Sequence, residues 1–139
     1  MRAAAIGIGS NSLRLLVADY DTKEMRTVLR DREGLRVFAS LDDQLIIPPD
    51  MIRKICKAVA GMKKTAEGLG SVKVFLFATS AVRDAGNGRE VSDALLRETG
   101  LQLDIVSGER EARLSYIGAA ENARSGMIDI GGGSTEIVI

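Results

Sequence analysis

The chain has 139 residues, 45% of them hydrophobic, with nineteen Lys and Arg against nineteen Asp and Glu. That length fits one domain, and the balanced charge offers no bulk attraction to nucleic acid or a membrane surface. With no histidine and the single Cys56, Ser-His-Asp, Cys-His and His-zinc chemistry, a disulfide and a Cys-x-x-Cys pair are all excluded within the chain. No apolar run approaches the ~18 residues of a membrane span and the N-terminus has no signal-peptide pattern, so the cytoplasm is the expected compartment. Any hydrolysis must run on carboxylates, arginines, backbone donors and an oxygen-bound metal.

Residues 3–9 and 12–20 read as two short strands around Gly9, Ser10, Asn11 and Ser12. Glycine there lets the backbone bend and leaves N–H groups uncovered, and a concave row of N–H donors suits a phosphate oxygen. The run from Gly7 to Ser12 approaches a dinucleotide fingerprint, but that motif needs a helix directly after its glycines. The apolar stretch 13–17 meets the Asp19-Tyr20-Asp21 turn too soon for one. Segments 24–32 and 34–39 read as further strands or a ragged hairpin divided by Gly34. Pro48, Pro49 and Asp50 open a helix to about Glu67, with Ile52, Ile55, Val59, Met62, Ala66 and Leu69 at the 3/4 spacing of a buried stripe. Cys56 reads as a small core residue, the lysines as a solvated face, and Gly68 and Gly70 as the stop.

Residues 72–78 are the most strand-like run, apolar enough for the centre of a sheet. Thr79, Ser80 and Arg83 follow at its carboxyl end, where open α/β sheets bind ligands; the same residues would also serve as the capped start of a helix. A helix to about Thr99 is closed by Gly100, and 101–106 is expected to be a buried strand. Ser107 then caps a helix reaching about Glu121. The capping-box position holds Arg110, so Glu111 is either a partner of the helix dipole or a functional carboxylate. Residues 122–126 link to a terminal strand–turn–strand, 127–139, where Asp129 precedes Gly131, Gly132, Gly133 and Ser134 and could hold the water of a metal.

Residues 5–17 align with 127–139 without a gap. Ile6/Ile128, Ile8/Ile130, Gly9/Gly131 and Ser12/Ser134 are identical, and Leu15, Leu16 and Val17 match Ile137, Val138 and Ile139 in character. Two hairpins of one design imply two related halves, each opening with a phosphate loop. The order β-β-β-α-β-α-β-α followed by a fresh hairpin predicts an α/β, ribonuclease-H-like domain with a mixed sheet over 1–125. Residues 126–139 would open a second such domain, so the chain looks like a piece of a longer protein. The uncovered edge of that hairpin would favour self-association, as in a homodimer.

Four stretches in order resemble the exopolyphosphatase / guanosine pentaphosphate phosphatase family, within the superfamily of actin, sugar kinases and heat-shock chaperone ATPases. They are Gly9-Ser-Asn-Ser-Leu-Arg14, Ala78-Thr-Ser-Ala-Val-Arg83, Ser107-Gly-Glu-Arg-Glu-Ala-Arg113 and Asp129-Ile-Gly-Gly-Gly-Ser-Thr-Glu136. The resemblance implies Mg²⁺-dependent hydrolysis of a terminal phosphoanhydride in polyphosphate or guanosine pentaphosphate. It implies that Ser10, Asn11 and Ser12 form one phosphate loop and Gly131, Gly132, Gly133 and Ser134 the other, with Thr79, Ser80 and Arg83 near the reacting phosphate. Glu111 would be the catalytic carboxylate, and Asp129 and Glu136 the acids near metal and phosphate. One departure stands out: Gly7 occupies a position where the family has an aspartate, as its repeat partner Asp129 also indicates. A non-catalytic binding module of the same fold, or an ATP-binding half of kinase or chaperone type, are the rival readings.

Overall fold

Alternating burial along the first strand, with small residues between the isoleucines, sets the centre of the molecule. In the computed structural model, which describes residues 1–22, 24–119 and 126–139, β1 (Arg2–Ile8) and β2 (Ser12–Tyr20) pair antiparallel, with Ile8 opposite Leu13 and Gly7 opposite Arg14. Ala4, Ile6 and Ile8 of β1 and Leu13, Leu15 and Val17 of β2 are buried on one face. Ala3, Ala5 and Gly7 lie on the other, half-exposed face. β3 (Met25–Gly34) adds to β2, β4 (Lys73–Ala78) adds parallel to β1 and β5 (Leu103–Ile105) parallel to β4, giving the order β3-β2-β1-β4-β5. This mixed five-stranded sheet with its helices is the expected ribonuclease-H-like arrangement.

The core face is covered by α1 (Pro49–Gly68) and α3 (Gly88–Thr99). Of the expected stripe, Ile52, Ile55, Val59, Met62 and Ala66 are buried there and Leu69, just past the end of α1, is half-buried; Cys56 is buried too, as expected, which raises its thiol pKa. Pro49 stands in the first turn, where its missing N–H costs nothing. Gly100 ends α3 in the left-handed conformation (φ 71°), its N–H bonded to Leu96 O. A four-residue helix, α2 (Ser80–Arg83), follows β4, and α4 (Gly108–Ala119) follows β5. No helix among the described residues is long and apolar enough to cross a membrane.

Two expectations are corrected. Segment 34–39 is not a further strand; Gly34 ends β3, Arg36 is left-handed (φ 54°) and Phe38–Ser40 is a 3-10 turn. Their backbone donors have another use: Leu35 N and Arg36 N bond to Asn11 O at 3.1 and 3.0 Å, and Phe38 N to Ser10 O at 2.9 Å. As expected, the apolar run supplies an interior strand, β4, in which Leu76 and Ala78 are buried while Phe75, on the other face, is 48% exposed. β5 is three residues long, with Leu103 inward and Asp104 and Ile105 exposed. The expected end of α4 and most of the link to the last hairpin, 120–125, lie outside the described residues. That hairpin, β6 (Met127–Ile130) and β7 (Thr135–Val138), makes its own two-stranded sheet and packs against α4.

Candidate phosphate site

The two sequence repeats fold alike. In the first, Gly9 N donates to Ser12 O at 3.1 Å; in the second, Gly131 N donates to Ser134 O at 2.9 Å. Gly7 opposite Arg14 in one corresponds to Asp129 opposite Glu136 in the other. Each is a strand, a four-residue loop and a strand in one register.

The loops touch, and glycine permits it. A carbon attached to Gly133 would lie 2.6 Å from Ser10 Oγ, 2.9 Å from Ser80 Oγ and 3.3 Å from a Phe38 ring carbon. One attached to Gly132 would collide with the Asn11 side-chain amide. Ser10 and Ser80 are both buried, their hydroxyls sharing a 2.8 Å hydrogen bond. Ser80 is there because Thr79 N, donating to Ile8 O at 3.2 Å, ties the end of β4 to the end of β1. Ser12 is buried and Ser134 half-buried at the closing ends of the loops. Ser10, Asn11, Ser80, Gly132 and Gly133 therefore meet at one point, with Thr79, Ser12, Gly131 and Ser134 one or two residues away in the chain.

Arg83 and Glu111 form a second cluster. Arg83 sits in the last turn of α2, and its Nη1 donates to Glu111 Oε2 at 2.9 Å and to Val106 O at 3.0 Å. Its Nε is 3.5 Å from Asp84 Oδ1. The bond to Glu111 is the main reason the guanidinium pKa is raised, against an opposing effect of burial. Ser107 caps α4 as expected, with Arg110 N on its Oγ at 3.3 Å and Glu111 N on its carbonyl at 2.8 Å. Arg110 turns away to Asp104, 2.7 Å, so the capping-box position serves an ion pair. Glu111 lies in the first turn of α4, and its side chain is 16% exposed and paired with an arginine. No hydrogen bond or ion pair among the described residues links this cluster to the two loops.

Asp129 and Glu136 are direct cross-strand partners on the less exposed face of the last hairpin, and Glu136 is 8% exposed. Two adjacent carboxylates without a basic partner among the described residues suit a hard cation. No group of three or more potential ligand side chains occurs among those residues. Mg²⁺ needs no such cage, since it takes one or two carboxylates and keeps waters or phosphate oxygens for the rest. The donor set fits it on this hairpin.

Two participants escaped the sequence reading. Phe38 edges the loop contact, and the ring of Phe77 stands over Gly7: a carbon on Gly7 would lie 2.7 Å from Phe77 Cζ. The signal for Phe77 is its parallel register opposite Gly7, which exists only once β1 and β4 are paired.

A ribonuclease-H-like sheet carrying a glycine–serine loop at the end of β1, with a matching loop set against it, defines a fold of the actin-like ATPase type. Comparison with known proteins gives the particular family. The model of the Ppx/GppA phosphatase family matches residues 16–139, and the chain belongs to that family. It is 32% identical to exopolyphosphatase 1 of Mycobacterium leprae over 143 residues, covering 99% of this chain and 42% of the relative. An uncharacterised protein of Streptomyces coelicolor is 34% identical over 142 residues, with the same coverage of 99% and 42%. Among solved structures, the Aquifex aeolicus member of the Ppx/GppA family superposes with a TM-score of 0.87 at 28% identity, covering 99% of this chain and 46% of that one. The chain spans less than half the length of these relatives.

Proposed function

We propose that this chain forms the phosphate-holding wall of a hydrolase that releases terminal phosphate from inorganic polyphosphate or guanosine pentaphosphate. One observation carries the reading: Ser10, Asn11 and Ser80 converge on Gly132 and Gly133, two donor-rich loops set face to face. Membership of a phosphatase family that includes exopolyphosphatases supports it.

A phosphoanhydride needs its charge neutralised and a water placed in line; little covalent work falls to the protein. Backbone N–H groups of both loops and the Ser10 and Ser80 hydroxyls supply donors. A phosphate approaching Arg83 competes with Glu111 for the guanidinium, while Val106 O keeps the arginine in place. With Oε2 engaged by Arg83, Oε1 is the Glu111 oxygen left to take a proton from the attacking water. Asp129 and Glu136 would hold Mg²⁺, which when bound supplies charge neutralisation at phosphate oxygens.

The test is phosphate release from both substrates by the protein at its full native length, with Mg²⁺ and with chelator. Release that requires Mg²⁺ is expected, and none from either substrate by folded protein overturns the reading. A second reading, a binding module without turnover, is favoured by the aromatic ring over Gly7 where the repeat has an acid. It predicts phosphate-chain binding with no release.

A further inference from the structure

The two hairpins place opposite chemistry at matching positions. On the second, Asp129 faces Glu136 across the strands; on the first, the same two places hold Gly7 and Arg14. Arg14 is exposed and has no ion pair among the described residues. A carboxylate at position 7 would also have to displace an aromatic ring. A carbon on Gly7 would meet Phe77 Cζ at 2.7 Å, Cε2 at 3.1 Å and Cε1 at 3.3 Å, so the ring lies across the glycine rather than beside it. Phe77 is the parallel neighbour of Gly7 on β4 and is only half-buried. The ring covers bare backbone that a side chain would otherwise cover, and its three carbons nearest position 7 occupy the path a side chain there would take.

We infer that Gly7 and Phe77 are a matched pair that closes the first hairpin to a cation, so that a divalent ion at the phosphate site is held from the second hairpin alone, by Asp129 and Glu136. The first hairpin then meets the substrate only with anion-binding groups: the loop N–H donors, the Ser10 hydroxyl and the unpaired Arg14. Charge is divided between the hairpins, carboxylates on one and a guanidinium on the other. An acid at position 7 would sit directly opposite Arg14 and draw its charge away from the substrate.

This inference rests on the phosphate-site reading, but its test needs no turnover. Mn²⁺ is titrated into the intact chain and its free signal followed by electron paramagnetic resonance, for wild type, Gly7→Asp, Phe77→Val, Gly7→Asp/Phe77→Val and Asp129→Asn. Asp129→Asn is expected to lose binding, while Gly7→Asp and Phe77→Val alone stay within about threefold of wild type. The double variant should bind about 10–100-fold more tightly, the usual worth of a carboxylate beside a metal site. Gly7→Asp alone binding as tightly as the double variant would show that the ring blocks nothing. A double variant no tighter than wild type would show that position 7 has no bearing on a cation. Should the aspartate variants fail to fold, thermal melts of Gly7→Ala in both backgrounds decide the steric half. The melting temperature should fall with Phe77 present and hold in the Phe77→Val background; an equal fall in both overturns the pairing. Phosphate release is measured separately, so failure of the hydrolase reading leaves this cation result interpretable.

Discussion

The hairpins β1–β2 and β6–β7 share a register and a loop, and the comparison separates what a hairpin encodes from what its surroundings impose. Ile6 and Ile8 are fully buried, whereas their partners Ile128 and Ile130 are 66% and 77% exposed. The isoleucines are the same; the difference is that α1 lies against β1 and β2, while α4 packs against the second hairpin. The loops differ in a complementary way. Ser10 corresponds to Gly132 and Asn11 to Gly133, and Ser10 nests at Gly133 while Asn11 nests at Gly132. The second loop position of each hairpin meets the third of the other, the reciprocal pattern of a two-fold contact. Side chains on one loop and their absence on the other let two copies of one motif interlock.

The comparison breaks most sharply at a residue neither hairpin supplies. If both only hold phosphate, proton transfer must come from Glu111 on α4. Glu111→Gln at full native length should then lower the rate of phosphate release by about 10²–10⁴-fold with little change in substrate affinity. Rates within about tenfold of wild type on that scale would reduce Glu111 to a partner of Arg83.

Next in size is the contrast between identical isoleucines. Ile6→Ala removes a fully buried side chain and should cost about 2–5 kcal/mol. Ile128→Ala, on an exposed face, should change stability by no more than about 0.5 kcal/mol. Urea denaturation of both variants makes the check, and similar losses would mean that the face of Ile128 is covered in solution.

Much of this contrast could be read before the fold was known, and some could not. The repeat was visible because identical residues recur without a gap, and the buried stripe of α1 because Ile52, Ile55, Val59, Met62 and Ala66 keep helical spacing. What escaped depended on partners far along the chain. Segment 34–39 read as a strand because nothing local reveals that the N–H groups of Leu35, Arg36 and Phe38 serve Asn11 and Ser10. Phe77 reaches Gly7 only through a parallel crossover, and Arg83 finds Glu111 twenty-eight residues away. Spacing within a motif reports the motif's own geometry; which motif it will face is set by the sheet.

The glycines of the second loop give the third prediction. Gly133→Ala would put its methyl against both serine hydroxyls, and the crowding should cost about 1–3 kcal/mol as the loops separate. Gly131→Ala meets the Ser134 carbonyl at 3.3 Å, a closer approach than most but within its own loop, so the loops stay together. Thermal melts followed by amide exchange at Ser10 and Asn11 distinguish the two. Exchange that speeds up equally in both variants would mean that the loops do not rely on each other.

The smallest effect concerns the hydrogen bond by which the first hairpin reaches the sheet edge beyond it. Ser10 Oγ and Ser80 Oγ lie 2.8 Å apart, with Ser10 5% and Ser80 3% exposed. Truncating either serine leaves the other hydroxyl buried without its partner, a loss of about 1–3 kcal/mol. Truncating both removes donor and acceptor together, so the double variant should be destabilised by less than the sum of the single ones. The expected coupling is about 0.5–1.5 kcal/mol, the net worth of one such bond. The second hairpin supplies the control, because its counterpart of Ser10 is Gly132, which has no hydroxyl to lose. Its contact with Ser80 runs through the Gly133 backbone and should not depend on the bond. A three-way set, Ser10→Ala, Ser80→Ala and the pair, measured by urea denaturation with and without inorganic phosphate, separates the two uses of these hydroxyls. In its absence they bond to each other and the coupling is full; with phosphate bound each turns to the ligand and the coupling should shrink. Coupling unchanged by phosphate would make the serine pair a fixed tie between β1 and α2, and leave the loop N–H groups as the phosphate donors.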